Sequence, residues 1–120
     1  MRNFKKLPVW QKGMDIVTMT YQLSDSLTEL LKYRLIDQLQ QAAVSIPSNI
    51  AIGSSHENDN DYRAFLKVSL GACFQLETLL LVIGKLPFET GDMLKQLFEA
   101  VEEEKRLLMD FMRQLILRGA

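Results

Sequence analysis

Apolar residues recur at spacings of three and four in four stretches, separated by three short polar or proline-containing breaks. That spacing is the period of an α-helix with one face turned inward. The first stretch begins after Leu7-Pro8, where a proline suits the opening turn because its missing N–H has no helical partner there. Trp10, Val17, Leu23, Leu27 and Leu30 lie near one stripe, Ile16 and Thr20 flank it, and Asp15, Gln22, Asp25 and Glu29 fall on the other side. The pattern predicts a helix over 8–31. In the second stretch, Leu35, Leu39, Ala42, Ala43, Ile46 and Ile50 form the stripe, with Pro47 inside it. A helix-interior proline removes one backbone hydrogen bond and predicts a kink near residues 43–47. The alternative is a helix that stops at Ser45. Ile50 and Ala51 continue the stripe and favour the kinked helix, which Gly53-Ser54-Ser55 then ends.

Residues 53–61 hold no apolar side chain, and Asp59 or Asn60 is the expected N-cap of the next helix. That helix is predicted over about 60–86. Tyr62, Leu66, Ser69, Cys73, Leu76, Leu80 and Ile83 make one stripe; Phe65, Ala72, Leu79 and Leu86 make a second. A helix on the surface of a small monomer needs only one apolar face. A second face requires either a central position or cover by another subunit. After Leu86-Pro87-Phe88, Thr90 is the expected cap of a fourth helix, with Leu94, Val101, Leu108 and Leu115 at sevens and Gly119 closing it. Glu102-Glu103-Glu104 followed by Lys105-Arg106 reads as a solvated, ion-paired face. Short connections between long helices imply a single all-α domain over 1–120, an antiparallel up-down-up-down four-helix bundle.

The size, 120 residues, leaves room for one domain, and 48% apolar residues supply its core. With 14 Lys+Arg against 15 Asp+Glu, the net charge of -1 disfavours a strongly basic nucleic-acid binder. The basic N-terminus is followed by no signal-type apolar stretch. The longest apolar run, Leu79 to Gly84, is far short of a bilayer span. With a single free cysteine, these features lead us to expect a cytoplasmic protein with no membrane partner.

Candidate chemistry is sparse. One Cys and one His exclude multi-cysteine and multi-histidine metal sites. Asp59 and Asp61 lack the glycine and distal glutamate of a calcium loop. There is no phosphate-binding glycine loop, no zinc-protease motif and no nucleophile elbow. His56 reads as a loop residue and Cys73 as a small buried hydrophobe. Glu77 lies inside the most apolar helix, so it needs a partner or a proton; a structural hydrogen bond or ion pair is the simplest account. Arg2, Lys5, Lys6 and Lys12 precede the first acid and are interleaved with Phe4 and Trp10. They are the one segment able to meet a phosphate backbone. No cofactor and no catalytic set is expected.

Residues 42–53, Ala-Ala-Val-Ser-Ile-Pro-Ser-Asn-Ile-Ala-Ile-Gly, carry a resemblance. Together with Leu7-x-Val9-Trp10-Gln11-Lys12-x-Met14-Asp15, Phe65-Leu66-x-x-Ser69-Leu70-Gly71 and Gln75-Leu76-Glu77-Thr78, they resemble the four-helix-bundle proteins encoded in intervening sequences of bacterial 23S rRNA genes. In that motif Pro47, Asn49, Gly53 and Glu77 are the structural positions. The resemblance implies a closed homo-oligomer, usually a pentamer, with a mostly undetermined biochemical role. The ribosomal name reflects a gene location and implies no ribosome binding. A related branch, the accessory variability proteins of diversity-generating retroelements, is a basic pentamer that binds nucleic acid and a reverse transcriptase. Two departures stand out. Ile52 occupies a position where the family usually has Glu, and Gln40 and Gln41 stand where an Arg is usual. The missing cations weaken a nucleic-acid role. The expectation is a non-enzymatic oligomeric scaffold or interaction protein, with weak, sequence-nonspecific nucleic-acid binding as the alternative.

Overall fold

The structure, a computed structural model, describes residues 3–27 and 32–119. A short 3-10 turn, Phe4–Lys6, leads into four α-helices: α1 Pro8–Asp25, α2 Lys32–Ser54, α3 Asp59–Gly84 and α4 Met93–Gly119. The described residues contain no strand, and the fold is all-α. Each helix packs on its neighbours in sequence, and α1 also packs on α4, closing the bundle. The body measures 50 × 21 × 20 Å. Contacts between neighbouring helices run in opposing numerical order. Along α3 and α4, for example, Asp59 meets Arg118 while Glu77 meets Lys105.

α1 starts at Pro8, with Leu7 supplying the carbonyl that Trp10 and Gln11 amides donate to. It ends at Asp25, earlier than the expected residue 31; residues 28–31, including Leu30, lie outside the described residues. Ser24 Oγ donates to the Thr20 carbonyl and Ser26 Oγ to the Leu23 carbonyl. Such serine bonds compete with the helical ladder and favour termination. Leu27 is nevertheless buried, which requires only that the chain pass over the core. The inward stripe is also corrected. Val9, Gly13, Ile16, Thr20, Leu23 and Ser24 are buried, whereas Trp10 and Val17 are half-buried. Thr20 is tolerated inside because its hydroxyl donates to the Ile16 carbonyl at 2.7 Å.

α2 runs unbroken through Pro47 to Ser54, which excludes termination at Ser45. Pro47 and its flanking Ile46 and Ile50 are all buried. Packing of this stripe offsets the missing N–H, which leaves the Ala43 carbonyl without its usual helical donor. The cap of α3 is Asn58, not Asp59 or Asn60; its Oδ1 accepts from the Asn60 and Asp61 amides at 2.7 and 3.4 Å. Asp59 and Asp61 then occupy the first turn, where the helix dipole favours acids. α4 begins at Met93, past the expected cap Thr90, because Gly91 adopts a left-handed φ of 56° and inserts a turn.

α3 is long and apolar enough to cross a bilayer by length and composition, with a mean hydropathy of 1.7 over its most apolar 18 residues. Nearly half of that window is buried inside the bundle, as befits a core helix.

Candidate functional site

The 42–53 motif explains itself as close helix contact. Ala42 and Ala43 are buried and small, allowing neighbouring helices to approach α2. Ser69 of α3 donates its hydroxyl to the Ile46 carbonyl at 2.8 Å, one residue before Pro47. A Cβ on Gly53 would sit 2.9 Å from Tyr62 Cδ1 and 3.2 Å from the Tyr62 carbonyl, so only glycine permits α2 and α3 to meet there. Asn49 folds back along its own helix, donating Nδ2–H to the Ser45 carbonyl and hydroxyl at 2.8 and 2.9 Å. Outside, Gln40, Gln41, Val44, Ser48 and Asn49 border a shallow groove of about 470 Å³ with Tyr21 and Asp37. Ile52 is exposed on the same helix. Thus both departures from the family pattern, Ile52 and the two glutamines, lie away from the core seam.

Glu77 is paired, as expected, but it is only partly buried. Its two oxygens lie 3.2 and 3.3 Å from Lys105 Nζ. Lys105 also meets Glu102 at 2.8 Å and lies 4.6 Å from the centre of the Phe74 ring. The Glu102 hydrogen bond holds the ammonium above the ordinary lysine range; burial opposes this and the Glu77 bond reinforces it.

The buried carboxylate is instead Glu104, from the run read as a solvated face. Its side chain is fully enclosed, and neither oxygen has a hydrogen-bond partner among the described residues. Burial pushes its pKa up to about 8; Lys12 opposes the rise, and Glu103 and Asp15 add to it. Lys105 is buried beside it. The register carried the signal: Glu104 lies three residues after Val101 and four before Leu108, on the apolar stripe itself. Glu102 and Glu103 do face solvent.

Of the four N-terminal cations, Lys5, Lys6 and Lys12 lie among the described residues. Arg2 lies outside them. Lys5 and Lys6 are exposed on the 3-10 turn, which is held by an edge-to-face contact of Phe4 with Trp10 and by Gln11 Nε2 donating to the Lys5 carbonyl. Lys12 is committed to Glu103 at 3.0 Å.

His56 stacks on Phe65 with ring centres 4.9 Å apart. Cys73 is buried, and its thiol is pushed up to about 12, first by burial and then by the Glu104 charge. His56, Cys73 and Glu77 are not linked by any hydrogen bond. No group of three metal-ligating side chains occurs among the described residues. The outer side of α3 also exposes apolar side chains. Val68, Phe74, Leu81 and Val82 are each about half exposed, and Gly71 between them has nothing within 4 Å of where its Cβ would be.

A search of the curated proteins gave no match. Among solved structures, the bundle is similar to a protein of unknown function from the S23 ribosomal protein family of Bacteroides thetaiotaomicron VPI-5482. The TM-score is 0.79 at 18% identity, over 87% of this chain and 97% of that one. The family model described as 23S rRNA-intervening sequence protein matches residues 5–110. With that match spanning most of the bundle, the chain belongs to the 23S rRNA-intervening sequence protein family.

Proposed function

We propose that this chain is a non-enzymatic subunit of a cytoplasmic homo-oligomer that acts as a scaffold or interaction protein. The observation that carries this reading is the exposed stripe of Val68, Gly71, Phe74, Leu81 and Val82 on α3. Large apolar side chains left exposed along one side of a helix are costly to leave in water and are the surface an interaction would use. Gly71, lacking a side chain, lets a second backbone approach closely. The number of subunits, five, rests on the family resemblance. The absence of a recognisable acid, base and nucleophile set supports the non-enzymatic part. Light scattering at micromolar concentration tests the assembly. The wild type is expected as a pentamer, and Val68→Glu/Leu81→Glu as a folded monomer by circular dichroism. A stable wild-type monomer overturns the proposal; a dimer overturns only the number.

A second reading is weak, sequence-nonspecific nucleic-acid binding through Arg2, Lys5, Lys6 and Lys12. It is favoured by the exposure of Lys5 and Lys6. A closed ring repeats the cations on every subunit and makes a modest patch multivalent. Such binding falls steeply with salt. Titration of labelled RNA and DNA against wild type and Lys5→Ala/Lys6→Ala/Lys12→Ala tests it; equal binding by both proteins removes the N-terminal segment from consideration.

A further inference from the structure

Glu104 is the feature of the core that neither the oligomer nor the nucleic-acid reading uses. It is fully buried, and both carboxyl oxygens lack a hydrogen-bond partner among the described residues. Its Oε2 lies against Gly13 of α1, 3.0 Å from where a Cβ would sit. The same point lies 3.3 Å from Ile46 Cγ2 and 3.3 Å from Pro47 Cβ of α2. The carboxyl therefore occupies the seam where α1, α2 and α4 converge. It is also where the backbone ladder of α2 is weakest, since Pro47 offers no N–H.

The charged and titratable groups around it do not neutralise it. From α1, Lys12 opposes the penalty, but its ammonium is engaged by Glu103 at 3.0 Å on the outer side, and Asp15 is of like charge. From α4, Glu103 repels it, and Lys105 is turned to Glu77 and Glu102. From α3 comes the Cys73 thiol, itself kept protonated by burial and by this carboxyl. From α2 come Ile46 and Pro47, which do not titrate. An ionised carboxylate here is a buried charge with no hydrogen bond, which is far more costly than the neutral acid.

We propose that Glu104 is a pH-responsive latch: as the neutral acid it completes the α1–α2–α4 seam, and loss of its proton loosens the bundle at the level of Gly13 and Pro47. The sign follows from linkage. The folded state holds the proton more tightly than the unfolded chain does, so stability is greatest in mild acid. It falls as pH rises from the ordinary glutamate range near 4.5 to about 8. The latch is closed below that interval and open above it.

The test is denaturant unfolding of the wild type and Glu104→Gln between pH 5.5 and 8. The ratio of the two proteins at each pH cancels the contributions of His56, the N-terminus and the other carboxylates. For the wild type relative to Glu104→Gln, the unfolding constant is expected to rise about 100-fold across that interval. Amide exchange, corrected for intrinsic rate, is expected to quicken at Gly13, Ile46 and Leu108 in the wild type alone. Parallel pH profiles for the two proteins overturn the proposal. If Glu104→Gln does not fold, carbon-13 titration of the Glu104 carboxyl in the folded wild type decides. A midpoint well above 6 supports the latch, and one below 5 overturns it.

Discussion

Gly13 and Glu104 meet at close range: the carboxyl end of a residue from α4 lies against the position where α1 lacks a side chain, with Oε2 3.0 Å from the vacant Cβ position. Gly13→Ala therefore sets two effects against each other. Alanine raises helix propensity by about 1 kcal/mol. The new methyl meets Glu104, Ile46 and Pro47 together, each closer than ordinary van der Waals contact, and overpacking costs about 1–3 kcal/mol. A net loss of about 1 kcal/mol is expected in urea unfolding. The loss should shrink in a Glu104→Ala background, because the two residues compete for the same space.

Gly53 and Gly71 give a sharper contrast. Gly53→Ala drives a methyl to 2.9 Å from Tyr62 Cδ1, 3.0 Å from Phe65 Cβ and 3.2 Å from the Tyr62 carbonyl. A loss of about 2–3 kcal/mol is expected. Gly71→Ala meets nothing and should stabilise the subunit by up to about 1 kcal/mol. If α3 joins copies through this face, the same substitution should weaken assembly, so melting and light scattering should move in opposite directions.

Ser69→Ala removes the 2.8 Å hydrogen bond from α3 to the Ile46 carbonyl. The expected cost is about 1 kcal/mol in chemical denaturation. Ser69→Cys, with a weaker donor of similar shape, should fall between the two.

Lys105→Met should cost about 1 kcal/mol, since it leaves Glu77 unpaired and removes the cation facing Phe74, while Glu77 and Glu102 retain access to water. Glu77→Gln should cost less, because Glu102 still holds Lys105 at 2.8 Å. A double-mutant cycle on the pair, read by thermal melting, measures the coupling.

Cys73 is buried with its thiol pushed up to about 12, so essentially no thiolate exists at pH 8. Iodoacetamide at that pH is expected to alkylate it only as the bundle unfolds. The labelling rate should therefore track the denaturant profile.

The periodicity of apolar residues decides that there are four helices and roughly where each begins, though it carries the end of α1 past Asp25. Leu94, Val101, Leu108 and Leu115 mark the inner face of α4 without any knowledge of its neighbours. Pro47 within a continuing stripe is also enough to place α2 on both sides of it, because Ile50 must still reach the core. The cap at Asn58 is less legible, since four Asx residues stand in the same loop and only backbone direction selects among them.

What only the tertiary structure decided is which polar residues the core accepts. Glu77, in the most apolar helix, is partly exposed and paired, whereas Glu104, in a run of three acids, is enclosed. The register of α4 already puts Glu104 on the inner stripe, but register alone says nothing about whether the space there can hold a carboxyl. That space comes from a side chain Gly13 does not have on α1, bounded by Ile46 and Pro47 on α2. Helical period is a local property, fixed by backbone geometry along one segment. The fit of a side chain into the core depends on atoms from three segments distant in sequence, and it exists only once they pack.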